Sequence, residues 1–159
     1  MRKRVKGRDH ARPRGESDQG WLDLEKISTV EVTSEQPGFP IESALVPSED
    51  GQGWRAAEGG EQQIRILFDE PVSLHRIQLR FQEAESERTQ EFTLRWSAAA
   101  GGAAIEIVRQ QWNFSPAGAT TEVEDYTVDL NAVSALELSI RPDLRRQEAV
   151  ATLASWRVA

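Results

Sequence analysis

Six consecutive residues, Arg109, Gln110, Gln111, Trp112, Asn113 and Phe114, place a guanidinium, three side-chain amides and two aromatic rings side by side. Such a set suits a ligand that carries hydroxyls on an apolar ring. An aromatic face stacks on its C–H groups, while amides and guanidinium bond its oxygens. Related groups stand in two other patches, Trp54-Arg55 and Arg88-Thr89-Gln90-Glu91. All three patches read as loop sequence beside strand-like runs. The candidate ligand-binding residues are therefore Trp54, Arg55, Arg88, Gln90, Arg109, Gln111, Trp112 and Asn113. The same side chains also admit a structural role. Trp54 would seal the mouth of the core, and Arg88 and Arg109 would pin loops by pairing with Glu91, Glu122 or Glu124.

Other chemistry has less to build on. The two histidines are His10 and His75, and neither stands near a nucleophile and an orienting partner. The alternation places His75 on the inward face of its strand, as a structural histidine. Glu122 and Glu124 lie two residues apart, so on a strand they share one face at about 7 Å. That spacing occurs in glycosidase acid–base pairs, and equally in carboxylates of a solvated strand; no enzyme is expected. Glu49 and Asp50 beside Gly51 offer oxygens to a hard cation such as Ca²⁺. A turn-favouring acidic loop explains them as well, and no cofactor is expected. There is no cysteine, hence no disulfide or thiolate metal site, and no zinc spacing or phosphate loop.

The 159 residues fit one domain with a sizeable core. No apolar run approaches the roughly 20 residues that span a bilayer. The basic start, Met1 to Lys6, lacks the hydrophobic segment of a secretory signal, so a cytoplasmic location and no membrane partner are expected. Residues 1–19 hold seven basic and three acidic side chains and almost no large apolar ones, a composition that predicts a disordered basic arm. The remainder carries 12 basic and 23 acidic groups. A body this acidic repels phosphate backbones, which argues against nucleic acid as a partner.

From residue 20 onward, the main signal is alternation of apolar and polar residues in short runs. Residues 27–33, 63–69, 75–81 and 92–96 read as strands, followed by segments from Ile105, over 126–130, over 136–140 and over 150–158. Pro37, Gly38, Pro40 and Pro47 mark a long loop up to Gly53, and residues 98–104 around Gly101-Gly102 mark a hairpin turn. Trp21 to Leu24 read as a short turn or helix that tucks an aromatic against the body. About eight strands without a long helix predict an all-β, antiparallel sandwich or jelly roll over residues 20–159.

Several motifs resemble the discoidin-like, galactose-binding-like β-sandwich family, which includes coagulation-factor C-type domains and many carbohydrate-binding modules. Asp50-Gly51 followed by Trp54 is similar to that family's loop after the first strand. Residues 63–72 leading to Ile77-Gln78-Leu79 resemble its central strand, turn and next strand. Phe92–Ser97, Leu136–Arg141 and Ala151–Val158 resemble later strands. Two positions depart from the pattern: Gln52 and Gly53 replace the threonine that often accompanies the family's structural calcium, and the turn at Gly101-Gly102 lacks its usual aspartate and tryptophan. The resemblance implies a non-catalytic module that binds carbohydrate or a similar polar ligand on loops at one end of the sandwich. The alternative expectation is a cytosolic protein-interaction or scaffold domain, whose partner is a protein.

Overall fold

The computed structural model describes residues 20–46, 51–98 and 102–159, with the backbone of 2–4. Among them are nine strands: β1 (Arg2–Arg4), β2 (Ser28–Val32), β3 (Trp54–Gly59), β4 (Gln62–Gln82), β5 (Arg88–Ser97), β6 (Ile105–Phe114), β7 (Thr121–Arg141), β8 (Val150–Leu153) and β9 (Ser155–Val158). Two one-turn helices, α1 (Leu24–Ile27) and α2 (Glu42–Leu45), complete the elements. All strand pairs are antiparallel, as alternation without βαβ spacing predicts. The main sheet runs β1-β2-β4-β7-β5-β6 with β9 also on β4, and β3-β8 form a separate ribbon.

The long strands β4 and β7 pair with each other throughout and carry the chain from one layer of the sandwich to the other. The first half of β4 lies between β2 and residues 135–140 of β7. Its second half lies between β9 and residues 121–130 of β7. Where the ribbon crosses, the register shifts between Leu67 and Val72 and again towards Arg76. Pro71 has no N–H to give the ladder, and on β7 the extra residue of a bulge, Ala132, takes φ 56°. The inner faces meet over Ile64, Ile66, Leu136, Leu138 and Ile140 on one side and Ile77, Leu79, Trp156 and Val158 on the other, all buried. Phe81 stacks on Phe92 with ring centroids 5.2 Å apart.

Several sequence expectations change here. The turn expected around Pro71 is a bulge inside one strand, and 126–130 and 136–140 are halves of another. Residues 150–158 form two strands because Ala154 breaks the run, its N–H donating to the carbonyl of Arg80. His75 is exposed rather than inward, since the register shift between Leu74 and Arg76 reverses its parity. Arg109–Phe114 and Arg88–Glu91 are strand, not loop, and pair with each other from Arg88↔Phe114 to Thr93↔Arg109. Trp54 and Arg55 open β3. Trp21 is buried under the Arg76 guanidinium, 4.6 Å from its ring, beside α1, which Asp23 caps.

Part of the expected basic arm forms β1, which joins the free edge of β2. The rest of that arm with His10, the acidic pair Glu49 and Asp50, and Gly101 lie outside the described residues.

The crossing of Gly53 past β8 is tight. Its φ is +77°, and a Cβ there would meet the Leu153 carbonyl oxygen at 2.6 Å and the Ala154 Cα at 3.0 Å. Both neighbours are backbone and cannot swing away. Gly53→Ala should cost about 2 kcal/mol or more, measured as a fall in the urea midpoint; an unchanged midpoint would contradict this packing.

Candidate functional site

The connections 83–87, 115–120, 142–149 and residues 51–53 before β3 gather at one end of the sandwich. They do so because β4 and β7 arch: the last residue of β4 and the first of β5 return to the end where β4 began. One side chain ties this end together. Arg88 is 4% exposed. Its Nε donates to Glu83 Oε1 at 2.8 Å, and Nη1 donates to the Pro142 carbonyl at 2.7 Å and to Gln90 Oε1 at 3.1 Å. Nη2 reaches Thr152 Oγ1 at 3.4 Å, and the guanidinium plane lies 4.8 Å from the Phe114 ring. The 83–87 connection, β5, the β7–β8 connection, β8 and β6 thus meet on one cation. Burial would raise the carboxyl of Glu83, but hydrogen bonds from Arg88 and from the N–H groups of Glu85 and Ser86 hold it below the usual range. The ion pair is therefore complete at neutral pH.

Behind Arg88 the polar cluster continues inward. Gln90 is fully buried and donates to Glu122 Oε1 at 3.2 Å; Glu122 is also fully buried, and its carboxyl faces that of Glu124. Burial, then the hydrogen bond and charge of Glu124, push the Glu122 carboxyl up to about 9. Tyr126, two residues further along the same face, has its phenol pushed up by burial and by the two glutamates. Glu122 and Glu124 do share a face as their spacing predicts, but Glu122 turns into the interior, away from any cleft.

Two grooves open around this tie. The first, of about 470 Å³, is lined by Phe39, Gln52, Arg55, Glu85, Thr152 and Ala154 among others. Arg55 lies over the Phe39 ring at 4.8 Å. The second, of about 860 Å³, is bounded by Arg88, Asn113, Ser115, Asp143, Arg145 and Arg146 with residues 85–87. Its far wall is rigid. Asp143 is buried, accepts from the Arg145 N–H at 3.1 Å and from Arg146 Nε at 3.0 Å, and these bonds hold it low against the opposing effect of burial. Arg146 Nη2 also donates to the Glu87 carbonyl at 2.6 Å. The Arg145 side chain is exposed and makes no hydrogen bond among the described residues.

The eight residues singled out in the sequence do not form one site. Arg55 lines the first groove, while Arg88 and Asn113 line the second. Trp54 is the core plug: 1% exposed, its indole N–H donating to the Ser34 carbonyl at 3.0 Å. Gln90 is inside. Trp112 turns inward and packs against the core, leaving only an edge on a shallow hollow of about 380 Å³ shared with Gln111, Asn113 and Ala119. Arg109 and Gln111 lie on the outer sheet face and reach Glu91, at 3.5 and 3.0 Å. Sequence reasoning missed Asp143, Arg145 and Arg146, although the run Asp-Leu-Arg-Arg after Pro142, where a strand must stop, marked a charged turn. Among the described residues no cluster of His, Cys, Asp or Glu is arranged to hold a metal ion.

The neutral Glu122 has a testable consequence. Below pH about 4.5 the carboxyl is protonated whether the chain is folded or not. Between about 4.5 and 9 folding must take up a proton, so wild-type stability falls as pH rises through that window. Glu122→Gln should match wild type near pH 4 and exceed it at pH 8. The gap should grow by up to about 1.4 kcal/mol per pH unit in denaturant titrations. A gap independent of pH would show that the carboxyl is ionised.

No protein-family model and no curated protein matches the chain. Solved structures do resemble it. The family 32 carbohydrate-binding module of C. perfringens NanJ, solved with galactose, has a TM-score of 0.61 at 13% identity over 82% of this chain and 92% of that one. The same kind of module from AlyQ, with 4,5-unsaturated mannuronic acid, has a TM-score of 0.63 at 13% identity over 87% and 97%. A third module, from a family 31 glycoside hydrolase of Clostridium perfringens, has a TM-score of 0.61 at 16% identity over 87% and 93%. The chain has the fold of these modules, the discoidin-like, galactose-binding-like β-sandwich.

Proposed function

We propose that the protein is a non-catalytic carbohydrate-binding module whose sugar sits at the loop end, between Asn113 and Arg145. The observation that supports this reading is the second groove: a preformed, polar recess held open by buried Arg88 and Asp143. A sugar hydroxyl both gives and accepts hydrogen bonds. The Asn113 amide does the same, Arg145 donates, and Ser115 adds a hydroxyl. The first groove adjoins through Glu85 and Ser86 and supplies the half-buried Phe39 ring for a second sugar unit. Solved modules of this fold carry galactose or an unsaturated mannuronic acid, which places sugars among the ligands the fold can serve.

Because the walls are pinned before the ligand arrives, little ordering cost falls on binding. Calorimetric titration with galactose and with uronate-containing oligosaccharides tests the reading. At least one should bind saturably, and Asn113→Ala and Arg145→Ala should each weaken it about tenfold with an unchanged urea midpoint. Absence of saturable binding, or affinity indifferent to both substitutions, would overturn it.

A further inference from the structure

The outer face of the main sheet carries a second organised surface, beside the loop end. Cross-strand register sorts its outward side chains into rows that run across the strands. One row alternates in sign over five strands: Glu31, Arg65, Glu137, Arg95 and Glu106 stand opposite one another in turn. Arg65 lies 3.0 Å from Glu31 and 3.7 Å from Glu137, and Arg95 lies 3.6 Å from Glu137. Two residues along, Gln63, Ser139, Thr93 and Arg109 form the next row. The row after that is Arg141, Glu91 and Gln111.

The middle row is short at its centre, at Thr93 and Ser139, where its neighbours are long. Thr93 and Ser139 are 5% and 7% exposed and form a floor between two ridges. The result is a trough of about 420 Å³. It crosses β4, β7, β5 and β6, a span of about 14 Å at the usual inter-strand spacing of about 4.8 Å. The Ser139 hydroxyl on the floor is buried and has no partner among the described residues. On the rim, Arg109 and Arg141 lie 3.5 and 3.8 Å from the same Glu91 oxygen, too far for strong hydrogen bonds, and both side chains are half exposed. Arg109 Nη2 also donates to Glu106 Oε1 at 3.1 Å. Exposed pairs of this kind contribute little to stability, so both guanidiniums can exchange them for another anion. Arg95, Arg109 and Arg141 outnumber Glu61 and Glu91 among the residues that line the trough, with Glu106 and Glu137 behind them on the ridge.

We propose that this trough is a binding surface for an extended acidic oligosaccharide, its carboxylate between Arg109 and Arg141 and its hydroxyls on Thr93, Ser139 and Gln63. Floor groups that both donate and accept match hydroxyls. The sheet's backbone groups here are spent on the ladders, so an extended peptide gains no main-chain bonds as it would at a sheet edge. There is no exposed aromatic ring in the trough, so ring edges rather than faces meet the floor. The trough is separate from the loop-end site and would act even if that site bound nothing.

The test uses the full chain with an oligogalacturonate, its carboxyl-reduced neutral counterpart, and polyglutamate. The oligogalacturonate should shift the backbone amide resonances of Gln63, Thr93 and Ser139, and Arg109→Ala and Arg141→Ala should each weaken this binding about tenfold. Both side chains are exposed, so unfolding does not confound the variants. Arg145→Ala, at the loop end, should leave the trough signals unchanged. Equal affinity for the neutral oligomer, equal affinity for polyglutamate, shifts confined to residues 83–89 and 143–154, or indifference to both arginine variants would each overturn the proposal.

Discussion

The loop end of this protein depends on the burial of one cation. A guanidinium taken out of water is destabilising by several kcal/mol unless its donors are met and its charge is balanced. Arg88 meets both conditions with groups drawn from five parts of the chain: Glu83 and Gln90 side chains, the Pro142 carbonyl, the Thr152 hydroxyl and the Phe114 ring. The connections on either side of it therefore cannot move independently. The balance also explains the unusual state of Glu122. Burial and the neighbouring Glu124 outweigh the attraction of Arg88, which Glu83 already pairs, so the Glu122 carboxyl is pushed towards its protonated form.

This constraint separates the structural polar residues from those that meet the outside. Arg88, Gln90, Glu122 and Asp143 face inward and are buried. Asn113, Arg145 and Arg55 stand on the same scaffold with their polar ends at a groove. The fixed positions of the first group give the second a fixed spacing, which is how the connections present a preformed recess. The trough on the outer sheet face rests on a different constraint, the strand register, which lines short hydroxyl side chains up between two charged ridges.

Much of the fold was legible because alternation has a period of two and the inward positions are aliphatic: Ile64, Ile66 and Phe68, or Leu136, Leu138 and Ile140, announce themselves. The bulges did not. Nothing local tells that the ribbon continues past Pro71, or that an extra residue at Ala132 and the shift before Arg76 turn His75 outward; those depend on which strand lies alongside. The candidate site was legible only in part, for a related reason. Arg109 to Phe114 is polar enough to read as a loop, yet it is a strand with one face on the solvent and the other, Trp112 and Phe114, on the core. Arg88 and Gln90 break the apolar-inward rule, and a sequence cannot show that each finds a partner from a distant strand. Residues 143–146 were overlooked because their importance comes from where the chain folds back, not from their types.

Amide hydrogen exchange in Arg88→Met, followed residue by residue, tests the central claim most directly. The side chain keeps its length and loses its donors. If one buried guanidinium holds the loop end, protection should fall at residues 83–89, 143–146 and 152 while the β4–β7 ladder keeps its wild-type rates. Unchanged protection in those connections, or a uniform loss across the whole molecule, would contradict that account.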